Sequence, residues 1–147
     1  YEIRLSLVGS EMCIRDSYAA LENHYGEDVW VHRKGAVRAG NGELAVIPGA
    51  MGSYSYVVMG KGNPESFCSS SHGAGRQYSR KGAMAAFTCE EVMLDLQKQG
   101  VILGKKGKAD VAEESRFAYK NIEDVMDNQT DLVVPVKRLK TIGVVKG

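Results

Sequence analysis

Apolar and polar positions along this chain switch between a period of two and a period near 3.6, which predicts a mixed α+β layout. Tyr54, Tyr56 and Val58 alternate with Ser55, Val57 and Met59 as in a strand, and Leu44 to Ile47 is a compact apolar strand stopped by Pro48-Gly49. Val29-Trp30-Val31 reads as a further short strand that runs into the basic turn Arg33-Lys34-Gly35, whereas Tyr18 to His24 reads as the tail of a helix. Further on, Lys81 to Phe87 favours helix. Thr88-Cys89-Glu90-Glu91 is a capping box for a second helix that carries Val92, Met93 and Leu96 and stops at Gly100. Ile122, Val125 and Met126 mark a short helix, and Leu132 to Val145 returns to strands. Gly60 to Pro64 is loop, and Lys105 to Lys108 is a basic loop expected to be a solvated connector rather than a groove for a polyanion.

Composition sharpens this in one respect. Hydrophobic residues are 44%, charged residues 25% and the formal net charge is +1, which argues against disorder and against wholesale polyanion binding. The 17 glycines stand out, because they crowd between Gly35 and Gly75 and suggest a backbone that approaches a ligand closely. No apolar run is long enough to span a bilayer, and Cys13, Cys68 and Cys89 show no CxxC spacing, so a soluble, cytoplasmic chain in a reducing compartment is expected.

The candidate chemistry lies in His72-Gly73-Ala74-Gly75-Arg76. An imidazole nitrogen can displace pyrophosphate from a nucleoside triphosphate and hold the phosphoryl group as a phosphoramidate. Two glycines let backbone N–H groups close on phosphate oxygens, and the Arg76 guanidinium can grip two oxygens in a planar fork. Taken alone the run is a weak signal, since a lone histidine in a Gly-rich turn is more often a hydrogen-bonded loop residue.

Flanking blocks narrow the choice. His32-Arg33-Lys34-Gly35-Ala36, Ile47-Pro48-Gly49-Ala50-Met51-Gly52-Ser53 and Gly60-Lys61-Gly62-Asn63-Pro64-Glu65-Ser66-Phe67 precede the histidine run; Ser79-Arg80-Lys81 and the terminal Gly143-Val144-Val145-Lys146-Gly147 follow it. In that order the blocks resemble the C-terminal part of the RtcB family of RNA ligases, over Tyr18 to Gly147. The resemblance implies an α+β catalytic fold around a Gly-rich nucleotide site. It also implies a GTP- and manganese-dependent ligase that joins RNA ends bearing a 2′,3′-cyclic phosphate or 3′-phosphate to 5′-hydroxyl ends, as in tRNA splicing or RNA repair.

Within that resemblance His72 is the residue that takes GMP. The nucleotide pocket falls on Pro48, Gly49, Ala50 and Met51, on Ser55, on His72, Gly73, Ala74 and Gly75, on Tyr119 and on Lys146. Ala50 departs from an expected serine and forfeits one side-chain hydrogen bond. A Tyr ring offers a stacking face, and Ser and Lys can donate to guanine O6 and N7. Arg33, Lys34, Arg76 and Arg80 are candidates for triphosphate or RNA phosphate contacts. His32 is expected to be structural, and no metal role is carried to His24. Manganese ligands of the family lie in an earlier part of the protein than Tyr18, so the chain is expected to carry the nucleophile without its metals and to be inactive by itself. RNA, as tRNA halves or broken strands, and an archease-like activator are the expected partners. A nucleotide- or RNA-binding module without turnover is the alternative.

The first seventeen residues read differently. Leu7 to Asp16 can be encoded without mismatch as CTC GTG GGC TCG GAG ATG TGT ATA AGA GAC, which resembles a transposase-based sequencing adapter. Residues 1–17 are therefore expected to be an adapter-derived artefact, and 18–147 the C-terminal part of the catalytic domain.

Overall fold

The computed structural model describes residues 18–104 and 111–145. Expectations about residues 1–17, the Lys105 to Lys108 loop and Lys146 lie outside the described residues.

The chain opens with a hairpin, not a helix. Strands β1 (Tyr18–His24) and β2 (Glu27–Arg33) pair antiparallel, with Leu21 opposite Trp30 and Glu22 opposite Val29. Two consecutive residues with positive φ, Tyr25 at 56° and Gly26 at 84°, make the tight connection that matches strand twist. Ala19, Ala20, Leu21 and Glu22 are good helix formers, so local propensity points the wrong way. The burial pattern misleads as well: Glu22, His24 and Arg33 are buried, while Leu21 is 55% and Trp30 73% exposed.

Strand β3 (Ala36–Arg38) follows, then β4 (Leu44–Ile47) and β5 (Ser55–Gly60), both close to where alternation predicts them. β4 and β5 form an antiparallel sheet with β8 (Val133–Leu139), whose register slips by one residue between Val57 and Val58. Strand β6 (Ser69–Ser71) pairs with β3, and β7 (Ile102–Gly104) runs parallel to β9 (Gly143–Val145). β3 and β6 escape pattern reading because three serines facing three residues carry no hydrophobic period.

Helices lie where capping signals place them. α1 (Arg80–Ala86) is N-capped by Ser79. α2 (Cys89–Gln99) has the full capping box: Thr88 Oγ1 accepts from the Glu91 N–H at 3.2 Å and a Glu91 carboxylate oxygen accepts from the Thr88 N–H at 2.8 Å. Gly100 ends it at φ 72°. α3 (Ile122–Asp127) starts on an Asn121 cap.

Apolar burial falls into two clusters. Ile47, Tyr56, Val58, Ile122, Met126 and Val133 surround Ala74 in one. Val92, Leu96, Val101, Val111 and Ala112 surround Met51 in the other. Ala74 and Met51 belong to the two segments that carry the candidate site, so each segment is anchored in a different core.

Candidate functional site

His72 emerges from the end of β6. Its N–H donates to the Gly35 carbonyl at 3.1 Å, so the β3–β6 ladder holds its backbone up to the residue itself. The imidazole is half-buried and makes a contact of its own. Next along the turn, Gly73 lies so close to the preceding loop that a Cβ there would stand 3.0 Å from the Pro48 carbonyl oxygen. Ala74 is buried in the first core, and Gly75 holds φ 72°, with open space where a side chain would be. The histidine is thus followed first by backbone packed against Pro48 and then, at Gly75, by open backbone.

The Pro48 to Ser53 loop is built from its own hydrogen bonds. Ser55 Oγ accepts from the Gly49 N–H at 3.1 Å, and the Ser53 N–H donates to the Ala50 carbonyl at 2.8 Å. A Cβ on Gly49 would lie 1.9 Å from the Tyr54 carbonyl oxygen, which rules out any other residue without moving backbone. Gly49→Ala is accordingly expected to cost about 1–3 kcal/mol, read as a fall in Tm by thermal melt. Met51 sends its side chain into the second core, which leaves only its backbone for a ligand, and Ala50 is half-buried.

A third segment closes the site. Met51 forms an isolated parallel bridge with Ser115, and Arg76 an antiparallel one with Tyr119; the Lys120 N–H donates to the Gly75 carbonyl at 2.9 Å. Residues separated by tens of positions in sequence are thereby laid side by side: the Pro48 loop, the His72 turn and the stretch from Glu114 to Lys120.

Glu114 joins them electrostatically. Arg76 Nη2 donates to Glu114 Oε1 at 2.9 Å, Tyr119 Oη donates to Glu114 Oε2 at 2.7 Å, and the Arg76 guanidinium lies 4.8 Å over the Tyr119 ring. Burial, and then the carboxylate beside it, push the Tyr119 phenol well above its ordinary 10, so it is a fixed donor throughout the physiological range. Arg76 Nη1 and Ser71 Oγ are buried without a hydrogen-bond partner among the described residues. Sequence reading passed over Glu114; the signal available was an acidic pair, Glu113-Glu114, five residues ahead of the tyrosine.

Other expected residues go elsewhere. Arg33 is 3% exposed and lies inside the protein: its Nη1 and Nη2 reach the two Glu22 carboxylate oxygens at 2.6 and 2.9 Å, and Nε donates to Ser69 Oγ at 2.8 Å. It supports the strand that precedes His72 instead of facing solvent. Lys34 is exposed in the turn after β2, and Arg80 is exposed at the start of α1. His24 is buried against Glu22 Oε2 at 2.9 Å and edge-on to Phe67, while His32 is exposed on β2. Among the described residues no group of three or more His, Cys, Asp and Glu side chains gathers as metal ligands, and no helix is long and apolar enough to cross a membrane. A cleft of about 510 Å³ lies beside the turn, lined by Ser71, Gln77, Lys120 and Asn121 among others.

The family model for the tRNA-splicing ligase RtcB matches residues 6–147. The chain belongs to the RtcB family. It is 42% identical over 142 residues to the RNA-splicing ligase RtcB of Escherichia coli strain K12, covering 97% of this chain and 34% of that protein. It is 40% identical over 138 residues to the tRNA-splicing ligase RtcB of Methanococcus maripaludis, covering 82% of this chain and 29% of the relative. With the corresponding protein of Methanopyrus kandleri it shares 37% over 158 aligned residues, 91% of this chain and 16% of the relative. The chain therefore spans about a third or less of the length of these RtcB relatives. Its mixed strands and short helices agree with the α+β expectation.

Proposed function

We propose that this chain is the nucleotide-binding part of an RNA ligase that consumes GTP as a co-substrate and seals 2′,3′-cyclic phosphate or 3′-phosphate ends to 5′-hydroxyl ends through His72. The observation that carries the reading is the convergence at His72: the Pro48 loop, the His72 turn and Tyr119 are tied together by direct backbone contacts. The names of the relatives, RNA-splicing and tRNA-splicing ligase, supply the substrate class.

The residues present fit a guanosine phosphate. Gly75 leaves open space where a phosphate oxygen could sit, Gly73 lets the turn pack against the Pro48 carbonyl, and the buried Arg76 Nη1 has no acceptor among the described residues. The Tyr119 ring offers a stacking surface. Ser55 Oγ holds the Gly49 N–H, so its hydroxyl hydrogen is available to a base while its oxygen keeps the loop in shape. In chemical terms a His72 ring nitrogen attacks the α-phosphorus, forming a P–N bond as pyrophosphate leaves. A cyclic end is first opened by water, which breaks the P–O2′ bond and leaves a 2′-hydroxyl and a 3′-phosphate; an oxygen of that 3′-phosphate then displaces the histidine, and the 5′-hydroxyl displaces GMP, a far better leaving group than a bare phosphate oxygen.

A manganese site does not fit the described residues, since they bring together no ligand set. In this reading the metal is held by the part of the enzyme that the chain does not span, and no step is assigned to it here. RNA is the partner, as tRNA halves or broken strands, with an archease-like activator as a second protein, and the cytoplasm is the compartment. The family match begins at residue 6, and we infer from the codons that Leu7 to Asp16 can take that residues 1–17 are nonetheless adapter-derived; scattered synonymous codons in the sequencing reads would overturn that.

Incubation with α-labelled GTP and manganese tests the function. The full-length enzyme is expected to acquire covalent label and the chain alone none, as befits a piece with Trp30 at 73% and Leu44 at 68% exposure and no metal-ligand set among its described residues. Label on the full-length enzyme that survives loss of His72 at full yield sinks the reading. For the chain by itself, nucleotide binding without turnover is the better description.

A further inference from the structure

We propose that Glu114 is a positioning residue of this nucleotide site, holding the Arg76 guanidinium and the Tyr119 ring as one stacked unit beside His72. The proposal rests on the reading above that His72 takes the nucleotide.

Each Glu114 oxygen accepts from a different partner, Oε1 from Arg76 at 2.9 Å and Oε2 from Tyr119 at 2.7 Å. The carboxylate sits at the end of a short 3-10 turn (Ala112–Glu114) whose next residue, Ser115, is bridged to Met51 of the Pro48 loop. A displacement of Glu114 is therefore transmitted to all three segments of the site. Hydrogen bonds with a charged partner are shorter and stronger than neutral ones, and these two share a single acceptor group.

Two consequences follow for a bound nucleotide. Because Tyr119 Oη is engaged by Glu114, the residue meets a purine through its ring and not through its hydroxyl. With Nη2 also engaged, Arg76 still carries Nη1, which is buried and without an acceptor among the described residues, as expected of a group that waits for an anionic oxygen. Glu114 further offsets the Arg76 charge, which would otherwise rest half-buried on an aromatic face.

The test uses the full-length enzyme and follows the rate of covalent labelling as GTP is varied. Glu114→Ala removes both acceptors, and KM for GTP is expected to rise about ten- to a hundredfold while the rate at saturating GTP changes about threefold or less. Glu114→Gln keeps one acceptor oxygen and is expected to fall between the wild type and Glu114→Ala. Combined with Tyr119→Phe, Glu114→Ala is expected to give less than the product of the two single effects, because both remove the Tyr119–Glu114 hydrogen bond. A KM within about twofold of wild type in Glu114→Ala overturns the proposal, as does a purely saturating-rate defect with KM unchanged. If melting curves show Glu114→Ala unfolded, the same twofold criterion is applied to Glu114→Gln. Absence of a His72-dependent adduct in the wild type is a separate outcome, which removes the reading on which the proposal stands.

Discussion

His72→Ala in the full-length enzyme is expected to abolish the covalent GMP adduct, a loss on the order of 10³-fold or more in the rate of labelling, with the melting temperature unchanged. The size follows from the role. A residue that forms the P–N bond has no substitute: the neighbouring Gly73, Ala74 and Gly75 carry no nucleophile, and the nearby hydroxyls of Ser70 and Ser71 have no adjacent base among the described residues. The small stability effect follows from the backbone. The His72 N–H bond to the Gly35 carbonyl is retained by alanine, and the core packing of the turn comes from Ala74. Gel autoradiography after incubation with α-labelled GTP separates the possibilities: loss of label with an unchanged melt assigns the nucleophile, and loss of both assigns a structural residue. Added imidazole is expected not to restore a protein-bound label, since the phosphoryl group would leave with the small molecule.

The second large effect is on stability and lies in the opening hairpin. Arg33→Ala is expected to destabilise by about 3–5 kcal/mol, because it strands the Glu22 carboxylate at 8% exposure without its bidentate partner. Arg33→Lys should recover little, since an ammonium cannot span both oxygens while also reaching Ser69 Oγ and the Phe67 carbonyl. A paired Glu22→Met and Arg33→Leu exchange should cost far less than either single loss, as replacing a whole buried pair removes the desolvation penalty with the attraction. Thermal or urea unfolding measures all three. A nucleotide-contact role for Arg33 predicts the opposite signature, a raised KM for GTP with an unchanged melt.

The same pair makes the fold acid-sensitive. Arg33 first, with His24 and Arg38 behind it, draws the Glu22 carboxyl down from its ordinary 4.5 to about 2, against the opposing push of burial. The folded value lies below the unfolded one, so the contribution is fully present above about pH 4.5 and is lost as pH falls through about 2. Stability measured between pH 5 and 2 should therefore decline with a component that Glu22→Gln removes.

Local and periodic signals were legible in the sequence wherever the physics was local. A capping box is four residues long, an αL stop needs one glycine, and strand alternation repeats within six residues; α2, Gly100, β4 and β5 accordingly lie where pattern reading places them. The nucleotide motif was legible for the same reason, since His72 and its glycines are contiguous. What pattern could not show was burial of charge. Glu22, His24 and Arg33 occupy an inner face while Leu21 and Trp30 face outward, so a hydrophobic period read from the sequence assigned helix to a strand.

The sequence by itself determined the chemistry this chain can offer: a histidine set among glycines, an arginine fork, a tyrosine and a Pro48-Gly49 loop. Only the tertiary structure decided which of them meet. Met51 reaches Ser115, and Arg76 reaches Tyr119 through Glu114, across more than thirty intervening positions, and these pairings depend on two separate cores docking their loops together. Arg33 shows the converse, for a residue that the motif places beside the nucleotide is spent on Glu22, because a buried carboxylate binds a guanidinium more strongly than solvent can.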